Sequence, residues 1–419
     1  MQKIVCLAVG VALLCVGYVQ AEEMPFVELK GHTDTVVYIY FLPDGKKVIT
    51  VSGNIFGFPS HRTTRIWDVE SGQELQKWEG SFTLLSPDRK KIVIATLGVS
   101  VTRIWDVESG KELHSDLRML GEHVQHFTPD GKRMMTVGKD GITRFRDTKS
   151  GKELFKFEKF VYVLAFSPNG KKIYTQTGGP APNDRTIRIL DAESGKELET
   201  VGWHEGDERF GTEITFSPDG KRLITEDGHG NGRLRNAESG SELQNLGKHF
   251  LEFSPDGKRL ATMSDEAIRI TRIWDAETGK ELYKSEAWFH RFSPDGKKFA
   301  TTGAGHRDGV TRIWDAETGK ELLKLDEYFL TFSPDGKRVV TGGKDVATVW
   351  NVASGKALQE LKIGASQSAA FSPDGKRIVV GNLNDTVRIW TLEQRCNTSS
   401  KSRNGAQRND GRKRGVPVK

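Results

Sequence analysis

His204 stands beside Glu205, Asp207 and Glu208 in the stretch Val201–Gly211, and this is the sequence's candidate cation site. An imidazole nitrogen with several carboxylate oxygens is a donor set for a divalent metal. Trp203 precedes the histidine and adds an aromatic wall. The same residues also suit a solvated acidic loop. A second stretch, Gly228–Gly232 (GHGNG), has the glycine density of a phosphate loop. It lacks a strand-to-helix setting and a following Lys-Ser/Thr, so it reads as a permissive turn. Nucleophilic or acid–base catalysis needs convergent groups. The serines here fall mostly in turns and the ten histidines are scattered. No Ser/His/Asp order, paired carboxylates or Cys/His ligand spacing emerges. The residues assign no catalytic group, no metal and no cofactor.

The elements that must carry these loops are copies of one unit. The turn Pro-Asp-Gly-Lys, or a near variant, occurs nine times from Pro43 to Pro373, at spacings of 37 to 50 residues. A period near forty marks a solenoid or propeller. Within each unit a short strand ends in Phe-Ser, and proline, aspartate and glycine turn the chain back. A β-rich run follows, such as Val48-Ile49-Thr50 or Val339-Val340-Thr341. A third strand carries Arg-Ile-Trp-Asp or a variant. The turn Asp-Ala-Glu-Ser/Thr-Gly-Lys then leads to a fourth strand beginning Glu-Leu. Four antiparallel strands that are apolar on both faces need a partner on each side, and radial stacking supplies both. The expected fold is therefore all-β: a propeller of four-stranded antiparallel blades, with nine repeat units and eight blades as the runner-up.

Arg-Ile-Trp-Asp at 65–68, 103–106, 272–275 and 312–315, each some twenty residues after the Pro-Asp-Gly-Lys turn, resembles the WD-repeat family across roughly residues 26–392. The near-identical copies resemble its secreted bacterial members. The resemblance implies a scaffold for other proteins. It also implies a buried His–Ser/Thr–Trp–Asp network, which this sequence leaves incomplete. His32 is the sole histidine in the Gly-His position, without a clear aspartate in unit one. Asp140, Asp265, Asp308, Asp345 and Asp385 match the family's turn aspartate without a matching histidine. Arg146 and Arg235 occupy tryptophan slots. Each guanidinium is expected to stack on a ring or reach the rim, the alternative being a charge aimed at a ligand. Arg89 replaces the turn glycine of unit two, so that turn is expected to differ. The last unit lacks a fourth strand, and Phe26–Lys30 resembles the missing piece; the N-terminal strand should close the ring on the C-terminal blade.

The Asp-Ala-Glu-Thr-Gly-Lys turn also resembles that of quinoprotein dehydrogenase propellers. There a tryptophan three residues after the lysine docks on the next blade; here Tyr283 and Leu323 hold those places.

The two ends read differently from the ring. Residues 1–21 have Lys3, an apolar run from Ile4 to Val19 and small residues at 19–21, the pattern of a signal peptide cut before Glu22. That predicts a secreted or periplasmic protein with no stable membrane insertion after cleavage. Cys396 would then be its one thiol, with no internal disulfide. The formal net charge is +6, and residues 393–419 account for the whole excess. Their composition predicts a disordered basic tail. The domains are thus 1–21, 22–392 and 393–419.

Tyr162, Trp288 and Tyr328, with His249 in register, lie five residues before the turn serine, at the start of strand one near the channel rim. Such aromatics suit partner contact or packing between blades. With Trp203, His204, Arg146 and Arg235 they are the candidate partner-binding residues. The expected function is a non-catalytic protein–protein interaction scaffold outside the cytoplasm. The alternatives are a quinoprotein-like extracytoplasmic dehydrogenase, and contact with polyanions or the envelope through the tail.

Overall fold

The computed structural model describes residues 25–53, 62–96, 101–115, 117, 121–157, 161–177, 187–201, 213–226, 230–264, 269–303 and 309–392. The leader at 1–21, the tail at 393–419, nearly all of the loops at 177–185 and 201–211 (with Trp203 and His204), Gly228-His229, Asp265 and Asp308 lie outside them.

Among the described residues there are nine four-stranded antiparallel sheets, arranged as a nine-bladed propeller with essentially no helix. Blade 1 runs from Val36–Phe41 to Glu74–Glu79. Blades 2 to 8 span 81–113, 123–156, 161–201, 213–248, 250–285, 287–325 and 328–362. Blade 9 takes three strands from Ser366–Phe371, Arg377–Asn382 and Val387–Thr391, and its outermost strand is Phe26–Glu28. The expected closure is present: Phe26, Val27 and Glu28 oppose Trp390, Ile389 and Arg388. Leu29 N donates to Val387 O at 2.9 Å, Phe26 tilts against Trp390 at 5.9 Å, and the Arg388 guanidinium sits 4.2 Å from the Phe26 ring.

The core is distributed. Nine clusters of buried residues occur, and each bridges two consecutive blades. One joins Val36, Val48 and Trp67 of blade 1 to Val379, Val387 and Ile389 of blade 9. The alternation of strands two and three between two apolar faces therefore fills a ring of interfaces and not a single centre.

Both repeated turns have a specific chemistry. In blade 7, Ser293 Oγ donates to Asp295 Oδ1 at 2.5 Å, and the same carboxylate oxygen accepts the Lys297 N–H at 3.1 Å. Lys298 N donates to Ser293 Oγ at 2.9 Å, closing the loop. In the outer turn, Asp315 Oδ1 accepts both N–H and Oγ1–H of Thr318 at 2.8 Å. Gly319 lies at φ 67°, and a Cβ there would stand 2.9 Å from the Tyr283 ring of blade 6. Tyr283 and Leu323 thus do dock on the next blade's turn, at Gly319 and Gly355. The Arg89 turn does not differ: Arg89 takes the left-handed conformation at φ 56°, and its guanidinium donates to Phe41 O of blade 1 at 3.3 Å. That contact and the intact Ser86–Asp88 hydrogen bond hold the glycine-type geometry.

Candidate functional site

The functional surface rests on a buried polar node in seven of the nine blades. A threonine in mid-strand two, at most 1% exposed, occurs in seven blades: Thr50, Thr136, Thr175, Thr225, Thr262, Thr301 and Thr341. A buried hydroxyl must be hydrogen-bonded. In blades 1, 6, 7 and 8 it accepts the indole N–H of Trp67, Trp274, Trp314 or Trp350 at 2.7 to 2.9 Å. Blade 2 has Ile94 opposite Arg103, at the threonine position, and Trp105 Nε1 is left without an acceptor.

The group above the threonine varies. In blade 1 it is His32, whose Nε2 lies 3.0 Å from Thr50 Oγ1 and whose Nδ1 lies 2.8 Å from Arg65. Arg65 in turn stands 2.9 Å from Glu74. An Arg–Glu pair thus takes the place of the aspartate that the sequence lacks. In blades 3 and 8 the group is a glutamate just before strand one. Glu122 accepts Thr136 Oγ1–H at 2.6 Å. Glu327 accepts from Thr341 and, at 3.3 Å, from Thr348.

This placement corrects the reading of Arg146. Arg146 neither stacks on a ring nor reaches the rim. It is 6% exposed and forms a two-pronged pair with Glu122, at 2.8 and 2.6 Å. Arg235 is also buried, beside Thr225 at 3.3 Å and Glu242 at 3.4 Å, and donates to Gly240 O at 3.1 Å. Each guanidinium fills the tryptophan slot and meets polar groups of its own blade, because a buried cation must be paired.

The innermost strands line the central channel. Tyr162 and Tyr328 are 55% and 49% exposed on blades 4 and 8. Trp288 of blade 7 is half-buried under the Arg269 guanidinium at 3.9 Å. The structure places Trp288 and Tyr328 on neighbouring blades and Tyr162 three blades from Trp288. His249 lies outside the strand at φ 39°. Sequence reasoning missed Tyr38 and Tyr40 of blade 1. They are 51% and 40% exposed and stack at 6.2 Å with 25° between ring planes. The signal was the alternation of Val-Val-Tyr-Ile-Tyr-Phe, which puts both tyrosines on one face of the strand. Burial raises the Tyr40 hydroxyl pKa, Tyr38 adds to the rise, and the Arg291 charge of blade 7 opposes it. Arg291 also opposes the burial that raises Glu252, whose Oε1 accepts the Phe292 N–H at 2.6 Å. The channel wall thus offers aromatic faces, hydroxyls and a few charges, which is a contact surface. Among the described residues no group of three or more His, Cys, Asp and Glu could hold a metal ion.

Comparison with known proteins agrees with this geometry. Residues 24–68, 285–315 and 364–391 match the WD40 family, described as WD domain, G-beta repeat. They cover most of blades 1, 7 and 9. An uncharacterized WD repeat-containing protein of Synechocystis is 36% identical over 84 residues, which are 20% of this chain and 22% of that protein. The chain thus matches about a fifth of that relative's length. A crystal structure of the eukaryotic initiation factor shares the fold at TM-score 0.58 and 15% identity, over 81% of this chain and 90% of that one. The computationally designed Ika8 protein aligns at TM-score 0.47 and 18% identity, over 88% of this chain and all of that one. The matched WD repeats and the four-stranded blades together support a WD-repeat β-propeller.

Two outcomes follow from the buried nodes. Burial, and secondarily the Arg65 charge, lower the His32 pKa to about 3, so the ring is neutral in the fold. The unfolded chain takes up that proton near pH 6.5. The His32 contribution is therefore complete above pH 6.5 and declines by about 1.4 kcal/mol per pH unit as the pH falls toward 3. Urea midpoints at pH 7, 6 and 5 should show wild type losing stability faster than His32→Asn, which is weaker at pH 7 but flatter. In blade 3, Glu122→Ala strands a buried guanidinium and should cost about 3–5 kcal/mol. Adding Arg146→Leu should restore most of that in the same denaturation assay.

Proposed function

We propose that this WD-repeat propeller is a protein-interaction scaffold that acts outside the cytoplasm and does no chemistry of its own. The observation that carries the reading is the stacked Tyr38–Tyr40 pair on the innermost strand of blade 1. Most of the chain's aromatic side chains are consumed by the interfaces between blades. These two are substantially open, rigidly held by a paired strand, and on the channel face. Tyrosine supplies a large contact area with a polar tip at low entropic cost, which suits it to anchor a partner. Arg291, which acts on the Tyr40 hydroxyl, adds a charge to the same wall. The matches to WD40 repeats support the scaffold reading, and the leader-like residues 1–21 support the location.

The test is affinity capture from an envelope fraction with wild type and the double variant Tyr38→Ser/Tyr40→Ser. Exposed positions of this kind change stability by about 0.5 kcal/mol or less, so both proteins should melt together. The expected result is loss of specific proteins from the variant's captured set. An identical set, at equal melting temperature, would contradict the reading.

A further inference from the structure

The opposite end of the disc has a different character. The Pro-Asp-Gly-Lys turn ends strand one of every blade, so it faces away from the end where Tyr162 and Tyr328 begin that strand. The outer Ser-Gly-Lys turn lies beside it at the same end. In each blade the residue after the turn's first aspartate, or its equivalent, donates its N–H to the carbonyl of the lysine after Pro-Asp-Gly. Val69 to Lys46, Ala276 to Lys258 and Leu392 to Lys376 are examples, at 2.7 to 2.9 Å. One face of the ring is therefore built of turns, except at blade 9, where the chain enters at Phe26 and leaves after Leu392.

The nine five-residue inner turns, from Pro43–Lys47 to Pro373–Arg377, hold nineteen Lys and Arg against eight Asp. The second basic residue of the turn is often a strut. Lys47 reaches Glu108 of blade 2 at 2.7 Å, Arg133 donates to Ala192 O of blade 4 at 2.7 Å, and Arg338 donates to Gly375 O of blade 9 at 2.8 Å. The first lysine, from Lys46 to Lys376, has its backbone pinned and its side chain exposed in all nine blades. The outer turns offset part of this ring without cancelling it: six exposed glutamates and six leading aspartates, held ionised by turn hydrogen bonds, face seven exposed lysines, which leaves five negative charges against the inner turns' eleven positive.

The periphery of the same face also carries exposed leucines among its charged residues. The fourth strand begins Glu-Leu, or Ala-Leu in blade 8, and in seven blades the leucine is the unpaired residue of a β-bulge. In blade 7 the register passes from Trp314–Glu321 to Ile313–Leu323 and skips Leu322. A bulge re-aims a side chain. These leucines are 37% to 56% exposed, Leu198 the most.

We propose that this turn face docks on an anionic lipid surface, with the lysine ring over the headgroups and the bulge leucines at the interface. A coplanar ring of cations matches a flat anionic surface. A linear polyanion would neutralise lysines but offer nothing to the leucines, whereas an interfacial layer takes both. The end where Tyr162 and Tyr328 begin their strands then stays open.

The test is co-sedimentation of the full chain with vesicles of phosphatidylcholine alone and with about 30% phosphatidylglycerol added. Wild type should bind the anionic vesicles and release them at high salt. Lys132→Glu/Lys221→Glu/Lys258→Glu/Lys297→Glu should reduce partitioning by about a hundredfold or more, at unchanged melting temperature. Leu282→Ser/Leu322→Ser should weaken vesicle binding and leave retention on heparin resin unaltered. Replacing Arg412, Lys413 and Arg414 by serine should leave vesicle binding in place. Unchanged binding by the lysine variant, loss through the tail replacement alone, or indifference to the leucines would each overturn the proposal, the last in favour of a linear polyanion.

Discussion

A blade that is apolar on both faces has no stable existence alone, and this constraint organises the molecule. Each of the nine cores lies between two blades, so every blade depends on its neighbours. The dependence can be satisfied everywhere only if the last blade meets the first. Three residues, Phe26–Glu28, complete that requirement by pairing with Val387–Thr391. The hydrogen bonds of Thr35 to Leu383 O at 3.0 Å and Ser368 to Val36 O at 3.3 Å, between the two ends of the ring, belong to the same seam. Loops and rims can vary because the ring beneath them is closed.

Within that frame, the polar interior tolerates substitution as long as each hydrogen bond is met. Thr50 is served by His32 and Trp67, Thr136 by Glu122, and Thr341 by Glu327 and Trp350. Arg146 can replace a tryptophan because Glu122 lies under it. The seams between the third and fourth strands repeat a second device: an arginine two residues before the tryptophan slot pairs with the glutamate that opens the outer strand. Arg65–Glu74, Arg272–Glu281 and Arg312–Glu321 lie at 2.9 to 3.4 Å.

The fold was legible because it is written in local chemistry repeated nine times. Proline, aspartate and glycine mark turns by backbone geometry, and Ile and Trp mark strands by alternation. The missing fourth strand of the last unit even pointed to the closing segment. What was illegible depends on contacts between distant positions. Arg146 gave no sign of Glu122, 24 residues away, because nothing local says which side chain will lie above a tryptophan slot. The threonine of strand two was visible as a β-former, yet its role as acceptor appears only once strands two and three are in register. Tyr38 and Tyr40 were overlooked because a bulge after Val36 sets their register, and the aromatics of other blades fall elsewhere. Trp203 and His204 lie outside the described residues and keep their standing as expectations.

The two ends of the disc then differ: Tyr162 and Tyr328 begin strand one toward one side, a lysine ring lies toward the other, and the Tyr38–Tyr40 pair stands on the channel wall between them. Both depend on a closed ring, and closure has a direct chemical test. Glu28 and Arg388 are opposed partners beside the hydrogen-bonded pair Leu29–Val387, a position where Cα atoms approach to about 4.5 Å and a disulfide is geometrically allowed. With Cys6, Cys15 and Cys396 replaced by serine, Glu28→Cys/Arg388→Cys should form an intramolecular disulfide on mild oxidation. It should run as a monomer on a non-reducing gel and melt higher than its reduced form. Free thiols after oxidation, or disulfide-linked dimers, would contradict a ring closed by its own N-terminal strand.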